Sequence, residues 1–198
     1  AAKKFCRLAL PHIDELCFSV HGHNAQTHDS LTRHKNSFSL LKKAIQNAGS
    51  GAKTTCCTAN VVLSRRNILV LPKILSYIFS WTHIRGLLIS LVAPQGNGLT
   101  HYRSLAIRLS DIRAIAPTLA TLSRRRKMPI HIFGAPLCAL GFNPVISNDV
   151  TWSPRTTISY TSQRVLEIVQ GDKPTRDRSK SPKCRACVFD DPCGGVFT

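Results

Sequence analysis

The sequence predicts an α/β protein with a parallel sheet, followed by a loop-rich appendage. Short β-branched or wholly apolar runs alternate with stretches whose apolar residues recur at helical spacing. This strand, helix, strand order means βαβ units. The run Gly86–Gly96 (GLLISLVAPQG) is apolar almost throughout, as a strand buried on both faces of a parallel sheet would be. Beyond Pro136 the alternation stops, and a cysteine cluster, KCRACVFDDPCGG at Lys183–Gly195, follows.

Taken in order, ELCFSVHG (Glu15–Gly22) predicts a first strand ending in a glycine turn. NSFSLLKKAIQNAG (Asn36–Gly49) predicts a helix, with Phe38, Leu41, Ile45 and Ala48 on one face and Gly49 as its stop. TTCCTANVVLS (Thr54–Ser64) is the second strand, rich in β-branched residues, and a helix begins at Asn67 with Pro72 near its first turns. Gly86–Gly96 is the third strand. Tyr102–Lys127 predicts a helix, broken or kinked near Pro117, and MPIHIFGAP (Met128–Pro136) a fourth strand. Leu137–Pro154 reads as irregular, Thr156–Gln170 as a short strand and a helix, and Gly171–Pro182 as a charged loop.

The chain has 198 residues and a net charge of +17, and no acidic residue lies between Ser30 and Ser110. Such a surface attracts phosphates, anionic cofactors or acidic peptides, or is simply solvated. A hydrophobic share of 43% supports a packed core and excludes wholesale disorder. No apolar run approaches the ~18 residues of a membrane-spanning helix, and no secretory signal opens the sequence. The expectation is a soluble, cytoplasmic protein. The only methionine is Met128, so the chain is expected to be cut at its start.

Eight cysteines without a secretory signal argue for thiols or metal ligands rather than a disulfide scaffold. Cys17, Cys56 and Cys57 lie in strand-like runs and read as buried thiols. Cys184, Cys187 and Cys193 are spaced Cys-x2-Cys-x5-Cys, and Gly194 and Gly195 let the backbone bend closely around a bound metal. No second pair follows them. The remaining candidate ligand is Cys138, in GAPLCALG, which would tie the appendage back onto the sheet. Four thiolates suit zinc or an iron–sulfur cluster, and spacing does not choose between them.

SVHGHNAQTHD (Ser19–Asp29) places His21, His23, His28 and Asp29 as His-x-His-x4-His-Asp. This could pass for a hydrolase metal site, but no downstream histidine or carboxylate completes it. The alternative is a polar loop at a strand's carboxyl end, where α/β folds bind ligands. APQGNG (Ala93–Gly98), after the third strand, permits close backbone approach to a ligand but is a weak signal alone.

From about Glu15 onward, CFSVHGHNAQTHDSLT, TANVVLSRRN, LVAPQGNG, FGAPLC and KCRACVFDDPCGGV resemble, in order and spacing, the carboxyl-terminal half of a radical S-adenosylmethionine (SAM) enzyme. The last two motifs resemble an auxiliary-cluster extension of the twitch or SPASM type. The resemblance implies a partial (β/α)6, TIM-like barrel. Residues 1–136 would be its carboxyl-terminal part, and residues 137–198 a truncated, cluster-binding extension. The strands at Glu15, Thr54 and Gly86 would be the fourth, fifth and sixth, with the strand at Met128 following the barrel.

The resemblance further implies that Ser19 binds the ribose or methionine part of SAM. Asn60 is a second candidate, and Val92 and Pro94 would lie near the adenine. It implies that Cys138, Cys184, Cys187 and Cys193 hold an auxiliary iron–sulfur cluster that binds substrate or passes electrons. The partners implied are an electron donor protein and a substrate, a peptide being a common one in this family. The family's Cys-x3-Cys-x2-Cys loop, which carries the [4Fe–4S] cluster that reduces SAM, is absent, as are the glycine-rich motif and the first three strands. The expectation is a fragment of a longer enzyme that cannot by itself generate a 5′-deoxyadenosyl radical. Two other readings stay open: a basic RNA-binding or RNA-modifying protein, and a small structural zinc protein. Against the first, the cations are scattered and aromatics make up only 7%, with no stacking motif.

Overall fold

The predicted alternation produces a four-stranded parallel sheet. A computed structural model describes Leu8 and residues 10–51, 55–150, 155–160, 165–171 and 178–198. Strands β1 (Glu15–Ser19), β2 (Cys56–Leu63), β3 (Ile84–Leu91) and β4 (Ile130–Phe133) lie in the order β1-β2-β3-β4, each parallel to its neighbour. Each crossover therefore steps one strand in the same direction. Because such crossovers are right-handed, the connecting helices fall on one face of the sheet.

Burial records that one-sidedness. Phe18, Ala59, Val61, Leu63, Ile89 and Ile132 alternate along the strands and are 7% exposed or less. They form the core with helix residues such as Ile45, Ile74, Ile78, Ile112 and Leu119. Burying one such side chain contributes roughly 1.5–3 kcal/mol. The intervening residues, among them Ser19, Asn60, Leu88, Ser90 and His131, are exposed or half-buried on the open face. The third strand is thus buried on one face only, not on both as its composition suggests.

The helices are α1 (Ala25–Thr32), α2 (Ser37–Gly51), α3 (Leu71–Phe79), α4 (Asn97–Leu105) and α5 (Leu109–Arg126). Asn24 caps α1, its side-chain oxygen accepting from the Thr27 amide at 2.9 Å. Pro72 sits in the first turn of α3, where an amide hydrogen would have no helical partner. Asp111 accepts from the Arg108 amide at 3.0 Å and starts α5, and Arg124, Arg125 and Arg126 complement its carboxyl end.

Several sequence expectations are corrected. The stretch Tyr102–Lys127 is broken at Ala106–Arg108, between α4 and α5, and Pro117 lies inside a continuous α5. Pro117 is exposed, so the carbonyl it deprives of a partner can turn to water. Gly49 does not stop α2; a Cβ there would lie 2.7 Å from the His83 ring, so it is a packing glycine. Cys57 is buried, but Cys17 and Cys56 are exposed. The helix expected before Gln170 is a strand: β5 (Arg155–Tyr160) pairs antiparallel with β6 (Val165–Gly171). The expectations for residues 151–154, 161–164 and 172–177 lie outside the described residues.

The segment after β4 turns through 3-10 helices at Leu137–Leu140 and Pro144–Ile146, and Ser147 bridges back to Ile132. β7 (Arg178–Ser179) and β8 (Val196–Phe197) then form a short antiparallel pair. Among the described residues no helix is long and apolar enough to cross a membrane.

Candidate functional site

Cys138 lies on the 3-10 turn that begins three residues beyond Gly134, and Gly141, at φ +65°, ends that turn. Cys184 and Cys187 share one turn, the Cys187 amide donating to the Cys184 carbonyl at 2.9 Å. The winding continues through Asp190, whose amide donates to the Cys187 carbonyl, and Cys193, whose amide donates to Phe189. Gly195, at φ +81°, ends the loop; a Cβ there would sit 2.3 Å from the Ser179 carbonyl oxygen. No other residue type fits both that conformation and that approach.

One strand pairing closes this loop and two contacts draw it onto the sheet. β7 pairs with β8 on either side of it. Phe197 packs on Gly134 at the carboxyl end of β4, where φ is +87° and a Cβ would lie 2.4 Å from the ring. Arg178 bonds Asp149 through two nitrogens, at 2.6 and 3.3 Å, with the two side chains only 1% and 3% exposed. Its guanidinium lies 4.8 Å from the Phe133 ring centroid and 4.7 Å from that of Phe197. Gly194 faces this pair, with room for no side chain.

As a result Cys138, Cys184, Cys187 and Cys193 line one cavity of about 280 Å³, with Leu137, Phe142 and Phe189 among its apolar walls. All four thiols are free. Lys180 also lines it, 2.9 Å from the Asp190 carboxylate. The hydrogen bond to Asp190, and then the negative charge of Asp190, Cys193 and Asp191, hold the Lys180 ammonium above its ordinary pKa.

Soft thiolates in an apolar setting suit zinc or iron–sulfur centres. Among the described residues, however, no three His, Cys, Asp or Glu are gathered closely enough to hold one ion. A tetrahedral zinc with Zn–S near 2.3 Å needs its thiolates about 3.8 Å apart. The cavity also holds the volume of about nine waters, at ~30 Å³ each, far more than one ion occupies.

The residues implied in SAM binding are only partly brought together. Ser19 and Asn60 are in register on adjacent strands, and Asn60 accepts a hydrogen bond from Ser90 at 2.9 Å. The three form a polar row across the carboxyl half of the open face. Val92 instead lines a second cavity of about 210 Å³ with Leu91, Tyr102, Gly134 and Phe197. Pro94 is buried and lines neither cavity. Tyr102 donates to the Phe197 carbonyl at 3.3 Å, and burial raises its phenol pKa. A separate hollow of about 440 Å³ lies at the amino half of the open face, lined by Cys17, Cys56, Arg85 and His131.

The histidine loop is structural. His28 is 3% exposed and accepts from the His21 amide at 3.2 Å, and the two rings stack. His21 accepts from the Val62 amide at 3.3 Å. Burial first, and His28 second, push the His21 pKa down to about 4, so the ring is neutral at pH 7. Asp29 accepts from the Asn36 and Phe38 amides and the Ser37 hydroxyl at 2.8–2.9 Å. These bonds, that from Phe38 foremost, lower its pKa. Asp29 therefore caps α2, with both of its oxygens engaged at the start of that helix.

Sequence reasoning missed Ser90, Tyr102, Phe197 and the Arg178–Asp149 pair. Phe197 on Gly134 is the one contact that left a trace, a glycine after a strand. No family model, curated protein or solved structure matches the chain.

Proposed function

We propose that this chain is part of a radical SAM enzyme and that Cys138, Cys184, Cys187 and Cys193 hold its auxiliary iron–sulfur cluster. One observation carries the reading: Cys184, Cys187 and Cys193, singled out by their spacing, line a single cavity with Cys138, the fourth ligand that the resemblance implies. The sheet gives a second support. Sequential parallel strands with helices on one face are what the wall of a partial (β/α)6 barrel requires, and the polar open face would be its lumen.

On this reading SAM and a reduced cluster supply a radical that abstracts hydrogen from a substrate. The chain lacks the Cys-x3-Cys-x2-Cys loop and does not start that reaction alone. Its own residues bind and position. Ser19 and Asn60 present hydroxyl and amide groups at the strand ends to the ribose or methionine part of SAM. Val92, beside Tyr102 in its cavity, is the remaining apolar candidate near the adenine, since Pro94 is buried and lines neither cavity. The four thiolates hold the auxiliary cluster against the carboxyl end of β4, and Lys180 offsets part of their charge. The basic surface suits an acidic peptide substrate, and an electron donor protein is the second partner.

The test is anaerobic reconstitution with ferrous iron and sulfide. The expected product is brown, with iron and acid-labile sulfide bound, and Cys138→Ala lowers both. Stoichiometric zinc without sulfide would overturn the cluster, and unchanged loading in Cys138→Ala would remove the fourth ligand.

A further inference from the structure

A third cavity, of about 170 Å³, opens beside the carboxyl ends of the strands, away from the cysteines. Its polar lining comes from three different connections: Thr32 and Arg33 at the end of α1, Arg66 after β2, and Asn97 and His101 on α4. Arg33 Nη2 donates to His101 Nε2 at 3.3 Å. A guanidinium has five donors, and this bond occupies one.

The cations stand on pinned turns. Arg33 is the left-handed cap of α1 at φ +53°, and the neighbouring Thr32 hydroxyl bonds that of Ser37 at 2.7 Å. The turn bearing Arg66 is organised by Asn67, which is fully buried. Asn67 accepts from the Ser64 amide at 2.8 Å and donates to the His21 and Val62 carbonyls at 3.1 and 3.0 Å. The Arg65 amide donates to the Leu105 carbonyl at 2.9 Å, which closes this turn onto α4.

No carboxylate lines the cavity. Among the described residues the two salt bridges lie elsewhere, at Arg178–Asp149 and Lys180–Asp190. The acid closest in sequence, Asp29, has both oxygens committed to the start of α2. Two guanidiniums therefore border one small space with no internal counter-charge. At ~30 Å³ per water the space holds five or six waters, room for a phosphate group together with part of the group it is esterified to. Guanidinium forks bind phosphate oxygens in pairs, and parallel α/β sheets bind ligands beyond the carboxyl ends of their strands.

We propose that Arg33, Arg66 and His101 form a binding site for the dianion of a phosphate monoester. The site is independent of the iron–sulfur reading. The probes are phenyl phosphate and inorganic phosphate, titrated calorimetrically at fixed ionic strength into the full chain, with no iron, sulfide or SAM present. Phenyl phosphate is expected to bind saturably and more tightly than inorganic phosphate. Arg33→Gln and Arg66→Gln each weaken it about tenfold, the scale of one charge-assisted contact. Both positions are exposed, so the fold survives, which unchanged urea midpoints will verify. Lys73→Gln, at an exposed cation on α3, leaves binding unchanged. Equal weakening by Lys73→Gln, or no saturation below about 10 mM, overturns the site. Inorganic phosphate binding as tightly as phenyl phosphate overturns the monoester assignment.

Discussion

Replacing Arg178 by Met should destabilise the chain by about 3–5 kcal/mol, because it leaves the Asp149 carboxylate buried without its partner. The two side chains are 1% and 3% exposed, so water cannot take over the lost bonds. The contacts at 4.8 and 4.7 Å to the rings of Phe133 and Phe197 add to the loss. Against a total stability on the order of 5–15 kcal/mol for a domain, this is a large fraction. Removing both charges tests the cause. Arg178→Met with Asp149→Leu buries no charge and should return to within about 2 kcal/mol of the parent. Urea unfolding with a common m-value measures all three proteins. A single-variant loss below about 1 kcal/mol would refute the reasoning, as would a double variant as unstable as the single. Because Gly194 faces the pair beside Cys193, the proposed cluster would predict that the single variant loads less iron on reconstitution than the parent and that the double recovers it.

Protonation of His21 sets an acid limit. Its pKa falls from 6.5 to about 4 in the fold, so the unfolded chain takes up its proton first. Stability is full above about pH 6.5 and declines as pH falls towards 4, by at most ~3 kcal/mol for this group. His28, also lowered by burial, acts in the same direction. Urea midpoints between pH 4.5 and 7.5 should show the slope in the parent and a flatter one in His21→Gln; equal slopes would exclude His21 as the titrating group. Gly134→Ala places a Cβ 2.4 Å from Phe197 at φ +87°. It should cost about 1–3 kcal/mol and expose the carboxyl-terminal segment to limited proteolysis; an unchanged midpoint and cleavage pattern would contradict the close approach.

The sheet was legible because strands in βαβ units declare themselves by composition and by the turns between them. What composition could not give was sidedness. The apolar run around Ile89 looks doubly buried, yet Leu88 and Ser90 face the open side. α1 was missed because AQTHDSLT has no apolar stripe, although Asn24 was a usable start signal. The break before α5 falls at Ala106–Arg108, which holds neither glycine nor proline, while Pro117 signalled a break that did not occur. Val165–Gly171 carries too few residues to separate a strand from a helix by period. The Cys-x2-Cys-x5-Cys cluster stood out because its spacing is visible in the chain itself. The Arg178–Asp149 pair was not, since two charges far apart in sequence leave no periodic trace.

Leu109 and Val196 line both the cysteine cavity and the cavity of Val92 and Tyr102. Two chambers with a shared wall are not filled independently. A guest that presses Leu109 or Val196 outward on one side takes space from the other, and coupling of this kind is reciprocal. Were both sides to hold a guest, each would change the other's affinity by the same factor. Two aliphatic side chains, Leu109 and Val196, are all that the carboxyl-terminal loop and the mouth of the sheet have in common there.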